Sequence, residues 1–154
     1  MNRFERTELL IGKEGLEKLN KTHIIVFGVG GVGGYVVESL VRSGVGKITV
    51  IDNDTVSLTN LNRQIIATEN VIGKNKVDVI KERILSINPN CIVNTYNLFI
   101  DDKNIDEISF DTVDYVVDAV DTITAKIAII KKSRELNIPI ISSLAILSPF
   151  SNCT

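Results

Sequence analysis

A glycine-rich turn between an apolar run and an amphipathic segment limits the folds open to this chain. Residues 23–27 read HIIVF, a short β-branched run that is typical of a strand buried on both faces of a parallel sheet. Gly28, Gly30 and Gly33 follow with the spacing G-x-G-x-x-G, and residues 35–44 carry apolar positions that fit a helix. Glycines at this point permit a tight turn and let backbone N–H groups approach a phosphate at the helix N-terminus. The turn therefore predicts a nucleotide site, but it does not indicate which nucleotide binds there.

The rest of the chain repeats this alternation of strand and helix. Further strands are predicted at residues 47–52, 91–99, 115–120 and 138–142, and further helices at residues 74–88 and 124–137. Strands that alternate with helices of this length indicate right-handed βαβ units. We therefore expect an α/β protein with a Rossmann-like, doubly wound, mostly parallel sheet and helices on both faces. Ligands bind such sheets at the carboxyl ends of the strands, so the segments that follow each strand form the candidate site.

The chain divides into three predicted parts. Residues 1–22 are predicted to form an amphipathic helical arm, residues 23–143 a Rossmann-like nucleotide-binding domain, and residues 144–154 an irregular tail. Within the arm, we expect Gly12 and Gly15 to separate two short helices, because glycine weakens a helix interior.

Composition excludes several classes of protein. A net charge of −2 argues against a dedicated nucleic-acid-binding module, although it does not exclude a nucleic acid as substrate. Cys91 and Cys153 form no C-x-x-C pair, so we expect neither a structural zinc site nor a disulfide scaffold. The N-terminus lacks the apolar core of a signal peptide, which predicts a cytoplasmic protein. Cys91 and the single histidine, His23, are expected to be core residues.

The carboxylate that closes the second strand favours a nucleotide with a ribose. Asp52 follows the glycine turn by about twenty residues, where an acidic side chain commonly binds ribose hydroxyls. This spacing makes NAD the first hypothesis. An NAD-dependent oxidoreductase is nevertheless a weak hypothesis, because no cluster of residues in the sequence suggests a hydride-transfer site.

The polar segment TNLNRQ, shortly after the second strand, favours a triphosphate instead. A triphosphate carries more negative charge than the pyrophosphate of NAD, and guanidinium is the side chain best suited to phosphate oxygens. Arg63 supplies this group, and Asn60 and Gln64 can donate hydrogen bonds from the same turn if it is helical. Lys76 adds a second cation at the start of the next helix. Each of these residues alone could be an exposed surface residue, but together they indicate ATP.

The segment DAVDT, after the fourth strand, contains two candidate metal ligands. Mg²⁺ that binds with ATP takes one or two carboxylates together with phosphate oxygens. Asp121 is the candidate because it lies beyond the strand, although it could instead cap a helix that begins near Thr122. Asp118 is expected to be structural and to accept hydrogen bonds from nearby backbone amides.

The order of these motifs resembles a known superfamily. GVGGVG, IDND, TNLNRQ, GKNK and DAVDT follow one another as in the ubiquitin-activating-type adenylyltransferases, whose bacterial members include ThiF, MoeB and HesA. The likeness extends from RFERTELLIG to IPIISS. RFERTELLIGKEGLEKL, TNLNRQI and DAVDTITAKIAII are most similar to the branch of tRNA threonylcarbamoyladenosine dehydratases. Thr122 and Lys126 stand where the sulfur-carrier branch tends to have an asparagine and an arginine.

This resemblance implies a role for each motif residue. The residues implied to hold the ATP phosphates are Gly28, Gly30, Gly31, Gly33, Asn60, Arg63, Gln64 and Lys76. Asp52 would hold the ribose, and Asp121 would hold Mg²⁺. Arg6 would reach into the ATP site of a neighbouring subunit, because the family forms homodimers. The implied catalytic set is Arg63, Lys76, Asp121 and Arg6.

The resemblance also implies a reaction with ATP and Mg²⁺. The expected chemistry is adenylation of a carboxylate, that of the threonylcarbamoyladenosine side chain of tRNA, followed by ring closure with net loss of water. One alternative is adenylation of the C-terminus of a ubiquitin-like sulfur-carrier protein. A second alternative is a nucleotide-binding domain without catalysis.

The end of the chain departs from the family pattern. Family members are longer and continue after the fifth strand with a glycine-rich turn and a substrate-handling region, whereas this chain ends with SSLAILSPFSNCT. We therefore expect a shortened or out-of-frame end that is disordered or irregularly packed. The chain is expected to fold and to bind nucleotide but to turn over poorly. No catalytic role is expected for Cys153.

Overall fold

The computed structural model of the protein describes residues 2–143. The predictions about residues 144–154, including Cys153, lie outside this range. The helices and strands, in chain order, are α1 (Glu5–Lys21), β1 (His23–Phe27), α2 (Gly33–Ser43), β2 (Lys47–Ile51), α3 (Lys76–Ile87), β3 (Ile92–Tyr96), β4 (Tyr115–Asp118), α4 (Ile123–Glu135) and β5 (Ile140–Ser142). Three short 3₁₀ turns lie in the loops, at Leu58–Asn60, Glu69–Val71 and Ile105–Glu107.

The five strands form one parallel sheet in the order β3-β2-β1-β4-β5. Phe27 at the end of β1 pairs with Ile51 of β2 and with Asp118 of β4, so the carboxyl ends of the three central strands are level. The chain reverses its direction of winding between β1 and β4, which opens a crevice at that edge. The predicted Rossmann-like α/β fold is confirmed.

The two faces of β1 support two separate hydrophobic clusters. Ile24 and Val26 pack with residues of α2 and α3 on one face. Ile25 and Phe27 pack with residues of α4 on the other face. Side chains alternate between the faces of a strand, so a strand covered on both sides must be apolar throughout. The complete burial of HIIVF therefore places the glycine turn at the centre of the domain.

The peripheral strands are shorter than the sequence pattern predicts. The third strand was expected over residues 91–99 but ends at Tyr96, and the fifth begins at Ile140 rather than at residue 138. Both strands are at the edges of the described sheet and are only partly buried. The fourth strand is central, yet it also ends earlier than the predicted residue 120, at Asp118. An apolar run therefore identifies a strand well but locates its ends poorly.

α1 contains the predicted break at only one of the two expected glycines. Gly12 has φ 75° and ψ 170°, whereas Gly15 keeps helical geometry. The start of α1 is fixed by burial of Phe4 and by a hydrogen bond of 2.7 Å from Arg3 Nη1 to the carbonyl oxygen of Ile87. No helix within residues 2–143 is long and apolar enough to cross a membrane.

The single histidine and the first cysteine are core residues, as predicted. His23 is buried and shares a hydrogen bond of 2.9 Å between its Nε2 and Thr49 Oγ1. Burial lowers the pKa of His23, and the nearby Lys47 ammonium lowers it further. Cys91 is buried just before β3, and burial raises the pKa of its thiol to about 11, so the reactive thiolate is disfavoured.

Candidate functional site: a cleft at the carboxyl edge of the sheet

A cleft of about 540 Å³ lies where the glycine turn meets the loops that follow β2, β3 and β4. Its volume is within the range of small-molecule sites. The predicted site residues that line it are Gly28, Gly30, Gly31, Asp52, Asn60, Arg63, Gln64, Lys76 and Asp121. Gly33 and Arg6 are not among its described lining residues. The fold thus brings together residues from five separate motifs.

Two glycines of the turn are required by the chain itself. Gly28 has φ 83°, and a Cβ there would lie 2.8 Å from the carbonyl oxygen of Ala119. A Cβ at Gly33 would lie 1.8 Å from the carbonyl oxygen of Gly28. Side chains do not fit at either contact, so these glycines let the turn close between β1, α2 and the end of β4. Gly33 acts behind the cleft rather than in it.

The other two glycines leave room in the cleft. The nearest atoms to an added Cβ would be 3.8 Å away at both Gly30 and Gly31, which is ordinary contact distance. α2 begins at Gly33, and its N-cap Val32 provides no side-chain cap within the described part of the chain. The first N–H groups of a helix need partners, and an anion can supply them. The turn therefore offers backbone donors beside an open space.

Asp52 connects the glycine turn to the loop after β2. Its Oδ2 accepts a hydrogen bond of 2.8 Å from the Val29 N–H, and its Oδ1 accepts one of 2.8 Å from the Asp54 N–H. A carboxylate oxygen can accept two hydrogen bonds, so each oxygen retains capacity for a ligand hydroxyl. Asp52 can fix the two loops and bind a ribose at the same time.

The segment TNLNRQ folds into a compact turn at the rim of the cleft. Asn60 is buried, its Oδ1 accepts a 3.0 Å hydrogen bond from the Ser57 N–H, and its carbonyl oxygen accepts one of 2.9 Å from the Gln64 N–H. The turn is thus helical enough to place Asn60 and Gln64 on one side, as expected. Arg63 is exposed, and its Nη1 donates 2.6 Å to the carbonyl oxygen of Thr59. Its remaining guanidinium donors are available to a ligand.

Gln64 carries an unpaired polar atom into the cleft wall. The residue is buried, and its Oε1 lacks a hydrogen-bond partner among residues 2–143. A buried polar atom without a partner costs free energy, so such an atom marks a place where a ligand or water completes the structure. Rotation about the terminal side-chain bond can offer either the amide oxygen or the amide nitrogen there.

Lys76 is buried, not exposed, at the start of α3. Its side chain is 5% exposed, and its Nζ lies 2.7 Å from Oδ2 of Asp54, whose side chain is 60% exposed. The Lys76 N–H also donates 2.9 Å to the carbonyl oxygen of Asp54. The buried cation at the cleft is therefore balanced by a solvent-facing carboxylate, which sequence reasoning did not assign. The only sequence signal for it was the second aspartate of IDND.

Asp121 is an exposed carboxylate at the opposite rim. The N-cap of α4 is Thr122, so the alternative prediction that Asp121 caps this helix is not observed. Residues 2–143 contain no cluster of three or more acidic, histidine or cysteine side chains that could hold a metal ion alone. A single carboxylate suits a divalent cation that already shares phosphate oxygens.

A comparison with known protein families identifies the family of this chain. The profile of the ThiF family matches residues 4–147, which is nearly the whole chain. The chain belongs to the ThiF family.

Individual members of the ThiF family are similar over most of this chain. The tRNA threonylcarbamoyladenosine dehydratase of Bacillus subtilis is 45% identical over 94% of the chain and 57% of its own length. The crystal structure of Escherichia coli TcdA, the tRNA N6-threonylcarbamoyladenosine dehydratase, in complex with ATP has a TM-score of 0.88 at 40% identity and covers 91% of this chain and 58% of its own. A molybdopterin-synthase adenylyltransferase of Haemophilus influenzae is 32% identical over 94% of the chain and 60% of its own length. The chain spans about half the length of the curated relatives it matches.

A second lysine–aspartate pair lies beside the cleft in this ThiF family domain. Asp118 is fully buried and accepts hydrogen bonds from the Val120 N–H at 3.1 Å, from Lys126 Nζ at 3.0 Å and from Ser142 Oγ. Lys126 Nζ also donates 2.6 Å to the carbonyl oxygen of Ser143. Asp118 is structural, as predicted, but its main partner is a buried ammonium rather than backbone amides alone. No local sequence pattern predicts this pairing, because it depends on where α4 packs against β4.

Proposed function

We propose that the chain provides the ATP-binding half of an enzyme that adenylates the carboxylate of threonylcarbamoyladenosine in tRNA. The cleft supports this proposal because it combines the backbone donors of the glycine turn, the cations Arg63 and Lys76, and carboxylates suited to a ribose and to Mg²⁺. The identity of 40–45% to tRNA threonylcarbamoyladenosine dehydratases, one of them solved with ATP, favours the same substrate.

The proposed roles follow from the position of each side chain. Gly30 and Gly31 would donate backbone N–H groups to the phosphates at the start of α2. Arg63 and Lys76 would neutralise the phosphate chain, and Gln64 would add a neutral hydrogen bond. Asp52 would hold the ribose.

Asp121 fits a magnesium ion that binds together with ATP. Mg²⁺ retains several waters and needs only one or two protein carboxylates beside phosphate oxygens. When bound, it would supply charge neutralisation of the phosphates. Asp121 would orient the phosphate chain from the β4 side, opposite Arg63 and Lys76.

The proposed reaction is an in-line displacement at the α-phosphorus of ATP. An oxygen of the substrate carboxylate forms a bond to the α-phosphorus, and the bond to the bridging oxygen of the β-phosphate breaks, which releases pyrophosphate. A nucleophile of the same substrate side chain then attacks the acyl-adenylate, the ring closes and AMP leaves. The protein contributes orientation and charge stabilisation, without a covalent intermediate on its own side chains.

ATP–pyrophosphate exchange distinguishes this proposal from the sulfur-carrier alternative. The alternative is supported by the 32% identity to a molybdopterin-synthase adenylyltransferase. We expect tRNA that bears threonylcarbamoyladenosine to stimulate exchange, but only weakly because the chain is expected to turn over poorly, and tRNA without the modification to have no effect. Exchange stimulated only by a ubiquitin-like carrier protein would favour the alternative. ATP binding without exchange on either substrate would favour a nucleotide-binding domain without catalysis.

We also propose that the chain forms a homodimer in the cytoplasm, with residues 1–22 as an intersubunit arm and residues 23–143 as the ATP-binding domain. Leu9 and Leu10 support the arm because the two residues are 73% and 86% exposed, and adjacent exposed leucines favour an interface. Arg6 is exposed on the same helix and could serve a neighbouring site. Sedimentation equilibrium should show a dimer in wild-type protein and a weaker dimer in a Leu9→Ser, Leu10→Ser variant. A wild-type monomer at all concentrations would contradict the proposal.

A further inference from the structure

The ion pair between Asp54 and Lys76 has two very different ends. Lys76 Nζ is enclosed within the cleft wall, while the Asp54 carboxylate faces solvent. A buried ammonium needs a counter-charge, because an unpaired charge in a desolvated place is costly. A solvent-facing carboxylate does not have the same need, since water can hydrate it. Lys76 therefore needs a charged partner much more than Asp54 does.

The backbone fixes Lys76 without help from the Asp54 side chain. The Lys76 N–H donates to the Asp54 carbonyl oxygen at 2.9 Å, and the Val56 N–H donates to the Lys74 carbonyl oxygen at 2.9 Å. Thr55 and Asn75 form an antiparallel bridge between these two hydrogen bonds. The loop after β2 is thus bound to the start of α3 as a short ladder. The backbone of Lys76 is therefore held beside the cleft by contacts that do not involve the Asp54 carboxylate.

Both ends of the pair line the same cleft as the glycine turn. An anionic group that enters the cleft meets the ammonium as an attractive partner and the Asp54 carboxylate as a competitor of like charge. Once an anion has taken its place beside the ammonium, the exposed carboxylate can rotate into solvent at small cost, because water hydrates it. The same carboxylate can return when the anion leaves, so that the ammonium is never left without a partner.

We propose that Asp54 is an exchangeable counter-ion for Lys76, which a ligand phosphate replaces on binding and which takes its place again on release. This inference rests on the proposed function in that the phosphate would belong to ATP or pyrophosphate. Asp54 is then a residue that limits anion affinity and favours product release. It differs from Asp52 and Asp121, which would hold the ligand.

Titration calorimetry with inorganic pyrophosphate tests the inference directly. Replacing Asp54 by asparagine keeps the shape of the side chain and removes its charge, so the Asp54→Asn variant should bind pyrophosphate about fivefold more tightly than wild type. The increase should occur both with Mg²⁺ and in EDTA, and it should shrink at high salt. Asp54→Ser serves as a second variant with the same expectation.

Two controls separate this effect from a general change in charge. The Asp78→Asn variant removes the same charge near the start of α3. Asp78 is exposed, accepts a hydrogen bond of 3.0 Å from Asn75 Nδ2, and is not among the described lining residues of the cleft. It should leave pyrophosphate affinity unchanged. In a Lys76→Met background, Asp54→Asn should no longer produce the fivefold gain, since the two residues would act as a coupled pair.

Each outcome decides the inference separately from the proposed function. Weaker or unchanged pyrophosphate binding in Asp54→Asn overturns it, because the carboxylate would then position the ammonium or hold the metal. Lack of pyrophosphate binding by wild type and variant alike also overturns it. ATP binding by wild type without an effect of Asp54→Asn keeps the proposed function and removes the inference. Tighter pyrophosphate binding in a protein that fails to bind ATP keeps the inference and removes the proposed function.

Discussion

Two lysine–aspartate pairs flank the cleft, and they differ in whether the aspartate is buried. On the β2 side Lys76 is buried and Asp54 faces solvent. On the β4 side Asp118 is completely buried and Lys126 is nearly so, with further hydrogen bonds to Val120 and Ser143. The same two residue types therefore form an ion pair open to exchange on one side and a closed structural centre on the other. Burial of the acceptor, rather than the distance between the charges, distinguishes them.

The β4 pair should give the largest effect on stability. Lys126→Met leaves the Asp118 carboxylate buried without its cation, and such a loss typically costs about 3–5 kcal/mol of unfolding free energy. Urea denaturation measures it. Lys132→Met is the matched control on α4, because Lys132 pairs with the exposed Asp106, and it should cost much less. Equal losses of unfolding free energy in the two variants would show that the buried pair stabilises the fold no more than the exposed pair does.

The β2 pair should instead affect ligand binding. Lys76→Met removes a cation from the cleft and should weaken ATP binding about tenfold to a hundredfold, since a hydrogen bond to a charged group is worth about 1.5–3 kcal/mol. The unfolding free energy should change little, because the remaining Asp54 carboxylate is hydrated. Equilibrium dialysis with ATP and a urea titration on the same preparation measure both quantities. If Lys76→Met lowered the free energy of unfolding by more than the free energy of ATP binding, Lys76 would be a structural residue like Lys126, and the comparison would fail.

The glycine turn extends the comparison to the backbone. Gly33→Ala places a Cβ against the Gly28 carbonyl oxygen and should cost about 1–3 kcal/mol of unfolding free energy. Gly30→Ala has room for the added methyl group and should leave stability near the wild-type value, or raise it by up to about 1 kcal/mol. Its effect should appear in nucleotide titration, as ATP affinity about tenfold lower. If Gly30→Ala binds ATP normally, the phosphates do not lie against this glycine.

The smallest expected effect lies at the amino edge of the sheet, away from both pairs. Because burial lowers the pKa of His23 below its unfolded value of 6.5, the folded state disfavours the protonated ring. The unfolded chain then binds more protons, so stability is fully present above pH 6.5 and falls as the pH drops below it. Urea midpoints at pH 7.5 and 6.0 should differ for wild type and differ less for His23→Gln. An identical pH dependence in the variant would assign the change to other groups.

The central parts of the fold and site follow from sequence because they depend on local patterns. HIIVF is apolar after its first residue, KITVI has three apolar residues of five, and the glycine turn between them has a fixed spacing. These features placed β1, β2 and the cleft correctly. Residues as far apart as Asp52 and Asp121 could be grouped because parallel strands bring their carboxyl ends to one edge.

Other features depend on contacts that no local pattern records. Lys76 could not be recognised as buried, because its burial arises when the loop after β2 pairs back onto the start of α3. Gly30 and Gly33 are the same letter in the same motif, yet only packing shows that one faces the cleft and the other faces a carbonyl oxygen. The pairing of Asp118 with Lys126 likewise required knowing where α4 lies.

α1 is held at both of its ends. Arg3 and Phe4 attach its start, and at its far end a Cβ on Gly46 would lie 1.8 Å from the Asn20 carbonyl oxygen, so the two segments meet backbone to backbone. Gly12 interrupts the helix between these attachments. The segment is thus anchored to the domain at both ends and interrupted at Gly12. A partner that binds Leu9 and Leu10 would have to bind them in the position that they occupy in this structure. Movement of the whole segment away from the domain would expose Phe4 and break the hydrogen bond from Arg3 to the Ile87 carbonyl oxygen.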